Sequence, residues 1–161
     1  MKKISSFKIN HTKLKAGLYF QRAHSCQGYV TTVTYDIRIC APYKELPMPI
    51  DAMHTIEHIG ATYLRNHKKF GRNIIYFGPM GCCTGFYLIV DPYGMIAEDV
   101  ADLVKGMFKF IASFPQTHRK IPGSTKKECG NYKLHWLARA AGISRDFLLK
   151  WDGDIDDYPE Y

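Results

Sequence analysis

Between residues 29 and 40 the sequence YVTTVTYDIRIC alternates, with Val33, Tyr35, Ile37 and Ile39 on one side and Thr34, Asp36 and Arg38 on the other. Successive side chains of an extended chain point to opposite faces, so this segment reads as a half-buried strand that needs partner strands and a covering layer. The rest of the chain supplies both. Residues 14–20 form a weaker strand candidate, and 73–77 and 86–90 are two further β-rich runs joined by GPMGCCTG, a stretch suited to a tight turn or bulge. After Pro42, Pro47 and Pro49, Asp51 is a plausible N-cap for a helix over 51–67. From Ile96 onward, Val100, Leu103, Met107, Phe110, Ile111 and Phe114 recur at helical spacing until Pro115. A polar loop over 116–131 then leads to a helix carrying Leu137, Ala140, Ala141, Phe147 and Leu148, with Gly142 in its middle. The acidic end, DGDIDDYPEY, reads as a solvated tail from about residue 152. No repeat or linker interrupts the chain. The expectation is one α+β domain over 1–161, with a largely antiparallel sheet and helices packed on one face.

Composition narrows the class of protein. A chain of 161 residues with 46% hydrophobic and 23% charged content suits one globular domain and argues against extended disorder. Residues 1–10 carry two lysines at their start but no following apolar run, and no segment is long enough to span a bilayer, so secretion and membrane insertion are disfavoured. Five cysteines, an odd number, argue for reduced thiols and a cytoplasmic setting over a disulfide framework. The net charge of +7 comes from 22 scattered Lys and Arg residues with no recognition motif, which speaks against nucleic acid; an anionic small substrate or solubility explains it equally well.

The chemically informative stretch is His54-Thr55-Ile56-Glu57-His58. On a helix, residues four apart stack on one face, so His54 and His58 can chelate one ion. Glu57, about 60° round the axis from His54 at ~100° per residue, can reach a metal-bound water or substrate without being a ligand. The H-x-x-E-H order is also that of inverted zinc metallopeptidases, which stand as the competing reading. A catalytic ion needs a third protein ligand and an open position. Cys129, in the polar loop Glu128-Cys129-Gly130-Asn131, is the candidate, with Gly130 letting the backbone approach closely.

A second thiol site lies in Met80-Gly81-Cys82-Cys83-Thr84-Gly85. A glycine-flanked turn exposes a side chain, and thiolate character depends on nearby positive charge or metal. Adjacent residues of an extended chain point to opposite sides, so only one of the two cysteines should face a given site; Cys82 is the candidate.

Five stretches coincide with one pattern: Ser6-Phe7 with His11-Thr12-Lys13, Tyr35-Asp36-Ile37-Arg38, HTIEH at 54–58, PMGC-x-TGFYL from Pro79, and ECGNY at 128–132 followed by His135. Together they closely resemble the LuxS family of S-ribosylhomocysteine lyases over nearly the whole chain. The resemblance implies cleavage of S-ribosylhomocysteine to homocysteine and 4,5-dihydroxy-2,3-pentanedione, a quorum-sensing autoinducer precursor, by a homodimer with active sites at the subunit interface. It implies a ferrous ion per subunit, replaceable by zinc or cobalt, on His54, His58 and Cys129, with Cys82 and Glu57 as the acid/base pair. Arg38, Arg65, Ser6 and His11 become candidate substrate anchors. The chain departs from the family at Tyr76-Phe77-Gly78, where D-x-S is common, and at Asn10, Thr34 and Cys83, which bears on substrate contacts while leaving the metal ligands and the acid/base pair in place.

Overall fold

The computed structural model describes residues 4, 7–116 and 120–160. Five strands, β1 (Gly17–Cys26), β2 (Tyr29–Arg38), β3 (Ile74–Pro79), β4 (Gly85–Val90) and β5 (Ile155–Asp156), form one sheet in the order β3-β4-β2-β1-β5. Three helices accompany it: α1 (Ile50–Arg65), α2 (Ala97–Ala112) and α3 (Leu137–Lys150). The chain is thus a single α+β domain, as the pattern of alternation and helical periodicity required.

Val33, Tyr35 and Ile37 of β2 pair across from Val90, Leu88 and Phe86 of β4, so the apolar sides of both strands form one continuous face. Ala52, Ile56 and Ile59 of α1, Val104 and Phe108 of α2, and Ala140 and Phe147 of α3 join that face in a single buried cluster. Fully burying a residue such as Phe86 or Phe108 contributes about 1.5–3 kcal/mol, which is why this face and not the loops sets the helix positions. Gly60 lets α1 come close: a Cβ there would lie 2.7 Å from the Phe77 ring and 3.0 Å from the Met107 sulfur.

Several expectations need correction. The β1 strand begins at Gly17 and runs to Cys26, later and longer than 14–20. Helix α1 starts at Ile50, so Asp51 sits in its first turn and Pro49 occupies the cap position without a side-chain bond. On α2, Phe110 is exposed while Phe108 is buried, because 108 falls in line with 100, 104 and 111 on the core stripe. Gly142 does not interrupt α3.

The largest difference concerns the acidic end. It is not a solvated tail, since β5 pairs in parallel with β1 at Leu18 and Tyr19, which makes the sheet mixed. Beyond it, Tyr158 stacks on Tyr19 with ring centroids 5.3 Å apart, and the Pro159 carbonyl accepts the Asn10 N–H. This strap helps to cover the second face of the sheet. Thr34, Asp36 and Arg38 are accordingly buried, so β2 is not half-solvated.

Candidate metal centre and thiol cleft

Helix α1 presents His54 and His58 one turn apart, with ring centroids 4.5 Å apart. Each ring is oriented through Nδ1: His54 meets the Leu134 carbonyl at 2.7 Å and His58 the Pro122 carbonyl at 2.8 Å. A carbonyl only accepts, so both Nδ1 atoms carry the proton and both Nε2 lone pairs are left free for a ligand bond. The segment that supplies these carbonyls also carries Cys129, whose sulfur lies 3.4 Å from His54 Nε2. One ligand atom from each of His54, His58 and Cys129 lies within 4.8 Å of the others. Two imidazole nitrogens and one thiol on fixed supports fit a divalent transition metal with an open fourth position.

Local sequence explains the placement of Cys129. The Glu128 carboxylate accepts from the Thr125 N–H and hydroxyl, and the Cys129 N–H reaches back to the Thr125 carbonyl at 3.0 Å, so TKKEC closes into a compact turn. The Asn131 N–H points at the Cys129 sulfur from 3.4 Å. The glycine that admits close approach is Gly123, not Gly130. Its φ of +68° is left-handed, and a Cβ would stand 3.3 Å from His58 Nδ1, whereas nothing crowds Gly130.

His135 packs on the same site, its ring flat against His54 at 4.3 Å and edge-on to His58 at 5.0 Å. The Thr55 hydroxyl gives its proton to the Asp51 carbonyl and receives the Trp136 N–H, so at 3.2 Å it accepts from His135 Nδ1. Burial, then the neighbouring histidines, push the His135 imidazole down to about 4. Glu57 is half-buried on α1 beside the ligands in sequence.

The second thiol lies in a cleft of its own. Cys82, in the β3–β4 turn, opens into a cleft of about 800 Å³ lined by His11, Arg38, Thr84, Tyr87, Phe7 and Tyr43 among others. Cys83 takes the left-handed φ of 58° and turns against the core; the chain is a turn here and not extended, so the two cysteines diverge through the turn and not through strand alternation. Arg38 Nη1 donates to the Thr84 hydroxyl at 2.5 Å and approaches the Cys82 sulfur at 3.7 Å. Because that hydroxyl accepts from Arg38, its own proton is available to the Cys82 sulfur 3.0 Å away. Burial alone would raise the Cys82 thiol; the Thr84 hydroxyl and N–H, followed by the Arg38 charge, outweigh it and hold the thiol below its ordinary value.

Among the anchors expected from sequence, His11 and Arg38 line this cleft with Cys82. Arg65 is exposed at the end of α1, where Nη2 donates to the Ile75 carbonyl at 3.3 Å, and it does not line the cleft. Ser6 lies outside the described residues. Neither Glu57 nor any of the three metal-ligand candidates lines the cleft. Thr84 escaped the sequence reading, because the left-handed turn at Cys83 that brings it to the Cys82 sulfur follows no strand alternation.

Fold and site together define a small α+β protein with a His-His-Cys group able to hold a metal ion and a separate thiol of lowered pKa, a combination suited to an enzyme. The chain belongs to the LuxS family, S-ribosylhomocysteinase, whose pattern it matches over residues 4–157. It is 48% identical to the S-ribosylhomocysteine lyase of Borreliella afzelii (strain PKo), covering 92% of this chain and 91% of that one. The S-ribosylhomocysteine lyase of Desulfotalea psychrophila is 49% identical over 87% of this chain and 85% of its own. That of Clostridium acetobutylicum is 45% identical over 99% of this chain and 100% of its own.

Proposed function

We propose that this chain is an S-ribosylhomocysteine lyase, releasing homocysteine and 4,5-dihydroxy-2,3-pentanedione, the precursor of a quorum-sensing signal. The observation that carries the reading is the convergence of His54, His58 and Cys129 in a chain that matches the LuxS family across nearly its whole length. The inverted-metallopeptidase alternative is not favoured, because the third donor is a loop thiol and the relatives are lyases.

A ferrous ion held by the two Nε2 atoms and the Cys129 sulfur, or zinc or cobalt in its place, would supply Lewis acidity toward the carbonyl oxygen of the opened sugar. Proton movement falls to the protein. The Cys82 thiolate, kept charged by Arg38 and Thr84, takes a proton from the carbon beside the carbonyl and returns it to the former carbonyl carbon, so that the carbonyl moves one carbon along the chain. The Glu57 carboxylate shuttles protons between the sugar oxygens. When the carbonyl stands in the right relation to the sulfur-bearing carbon, removal of one more proton expels homocysteine by β-elimination. Arg38 and His11 serve as anchors for the substrate's carboxylate and hydroxyls, with Ser6 and Arg65 completing the set.

A homodimer with the sites at its interface accords with this division of labour. Cys82 opens into a cleft that the metal-ligand candidates do not line, so a partner's metal centre facing the cleft would complete the constellation. Phe7, Tyr43, Leu46 and Trp136 leave large apolar surfaces exposed for such a contact. A cytoplasmic location suits five free thiols, and among the described residues no helix is long and apolar enough to cross a membrane. The deciding assay incubates anaerobically prepared, iron-loaded protein with S-ribosylhomocysteine and follows thiol release with a thiol-reactive dye. Stoichiometric release by the parent protein supports the reading; none from metal-loaded, folded protein would overturn it.

A further inference from the structure

The cleft cation Arg38 is itself held from behind, and the support comes from the last few residues of the chain. Arg38 Nη2 donates to Asp36 Oδ2 at 2.5 Å, and the same carboxylate oxygen accepts the Tyr158 hydroxyl at 2.8 Å. No other side chain bonds to Asp36 among the described residues; its Oδ1 is buried without a partner, as is Arg38 Nε. Asp36 is 1% exposed and Arg38 4%. A buried pair this sparsely bonded depends on each bond it has to keep one geometry.

Tyr158 is fixed independently of that bond. Its ring stacks on Tyr19, β5 ties the preceding residues to β1, and the Asn10 N–H and Lys13 ammonium bind the carbonyls of Pro159 and Glu160. Its phenol is driven well above the ordinary range, first by burial and then by Asp36, so it remains a donor at every pH of interest. It also lies one residue past the stretch that matches the family, residues 4–157.

We propose that Tyr158 is a positioning residue: its hydroxyl holds Asp36, Asp36 holds one arm of the Arg38 guanidinium, and the other arm is thereby kept on Thr84 and the Cys82 sulfur. The C-terminal strap thus tunes the reactivity of the thiol in the cleft. This rests on the reading of Cys82 as the acid/base thiol only for its importance to turnover; the relay is a matter of geometry.

The test measures the iodoacetamide alkylation rate of Cys82, read by mass spectrometry of its peptide, against pH in the metal-loaded full chain. The parent, Tyr158→Phe and a chain ending at Asp157 are compared. Tyr158→Phe keeps the stacking ring and removes only the hydroxyl. The titratable groups lining the cleft with Cys82 are His11, Arg38, Tyr43, Lys44, Glu45 and Tyr87; Tyr158→Phe removes none of them and no other tie of the strap, whereas the shortened chain also loses the Pro159 and Glu160 carbonyls that hold Asn10 and Lys13 beside His11. The expected result is an alkylation midpoint about one pH unit higher in both variants, with alkylation about tenfold slower on the acid side. A Tyr158→Phe profile that superimposes on the parent, or moves to lower pH, overturns the proposal, and so does a shift confined to the shortened chain. Lyase turnover is not read, so failure here leaves the proposed activity standing, and a chain without that activity would still report on the relay.

Discussion

Cys129, Cys82 and Cys83 stand in three different environments, and removing each thiol is expected to have a different consequence. Cys129→Ala should lose both metal and thiol release, because two imidazoles alone bind an ion far more weakly; His58→Ala should do the same, with metal content read by atomic absorption. Cys82→Ala should stay fully metal-loaded yet release no thiol, since only the proton-transfer group is gone. Cys83→Ser should retain substantial activity, because its side chain turns to the core and away from the cleft. An inactive, metal-loaded Cys83→Ser beside an active Cys82→Ala would show that the wrong member of the pair had been assigned. The depressed Cys82 thiol adds a pH prediction. A lowered value means that the thiolate persists as pH falls through the ordinary thiol range and is lost below it, so alkylation should extend to lower pH than that of an ordinary thiol. Thr84→Val removes the hydroxyl that donates to the sulfur and should move this loss upward, slowing alkylation near pH 7 by about tenfold. An unmoved profile would assign the activation elsewhere. At this scale the ligand pair was legible because its i, i+4 spacing is itself the chelating geometry. The backing groups were not, because Thr84, Asp36 and the Leu134 and Pro122 carbonyls act through contacts that only the folded chain creates.

Elements with a strong period were readable in advance, and those ordered by pairing were not. Alternation identified β2 and helical spacing identified α2 and α3, since in each the buried stripe follows from the element's own geometry, whereas α1 is marked by the prolines that precede Asp51. β5 is two residues long in an acidic stretch, and what orders it is the free edge of β1. Burial of the polar side of β2 was hidden for the same reason, because the cover arrives from the opposite end of the chain. Two predictions belong here. The segment over 120–134 meets α1 through His54 and His58, with the metal-ligand candidates at the contact. Chelation should therefore raise hydrogen exchange over 120–134 while β2, β4 and α2 stay protected; a uniform rise would mean that the metal stabilises the whole domain instead. At the packed side of the same helix, Gly60→Ala gains about 1 kcal/mol of helix propensity but drives a methyl into the Phe77 ring. That ring is itself stacked on buried Phe86 at 5.1 Å and cannot swing aside. Overpacking of this kind costs about 1–3 kcal/mol, so the thermal midpoint should fall, and a raised midpoint would show that α1 has room to retreat.

At the scale of the whole molecule, the chain carries its metal ligands and its activated thiol on different parts of its surface, and this sets a test of assembly. If each site takes Cys82 from one subunit and the metal centre from the other, two variants that are inactive alone must complement each other. In a mixed dimer of Cys82→Ala and His58→Ala chains, one site combines the intact thiol of the second chain with the intact metal centre of the first. The other site inherits both defects. Random pairing makes about half the dimers mixed, each with one good site of two, so the mixture should regain about a quarter of the parent's thiol release. Subunit exchange is secured by co-expressing the two chains with different affinity tags and purifying the doubly tagged species, which should regain about half. Doubly tagged dimers with no activity, although folded and carrying metal on the Cys82→Ala chain, would place thiol and metal in the same subunit. Sedimentation equilibrium on the parent supplies the companion measurement: the active species should be a dimer, and thiol release per chain should fall on dilution as the dimer dissociates. A monomer with undiminished turnover would refute the shared site, because within one chain the cleft around Cys82 is lined by none of His54, His58 and Cys129.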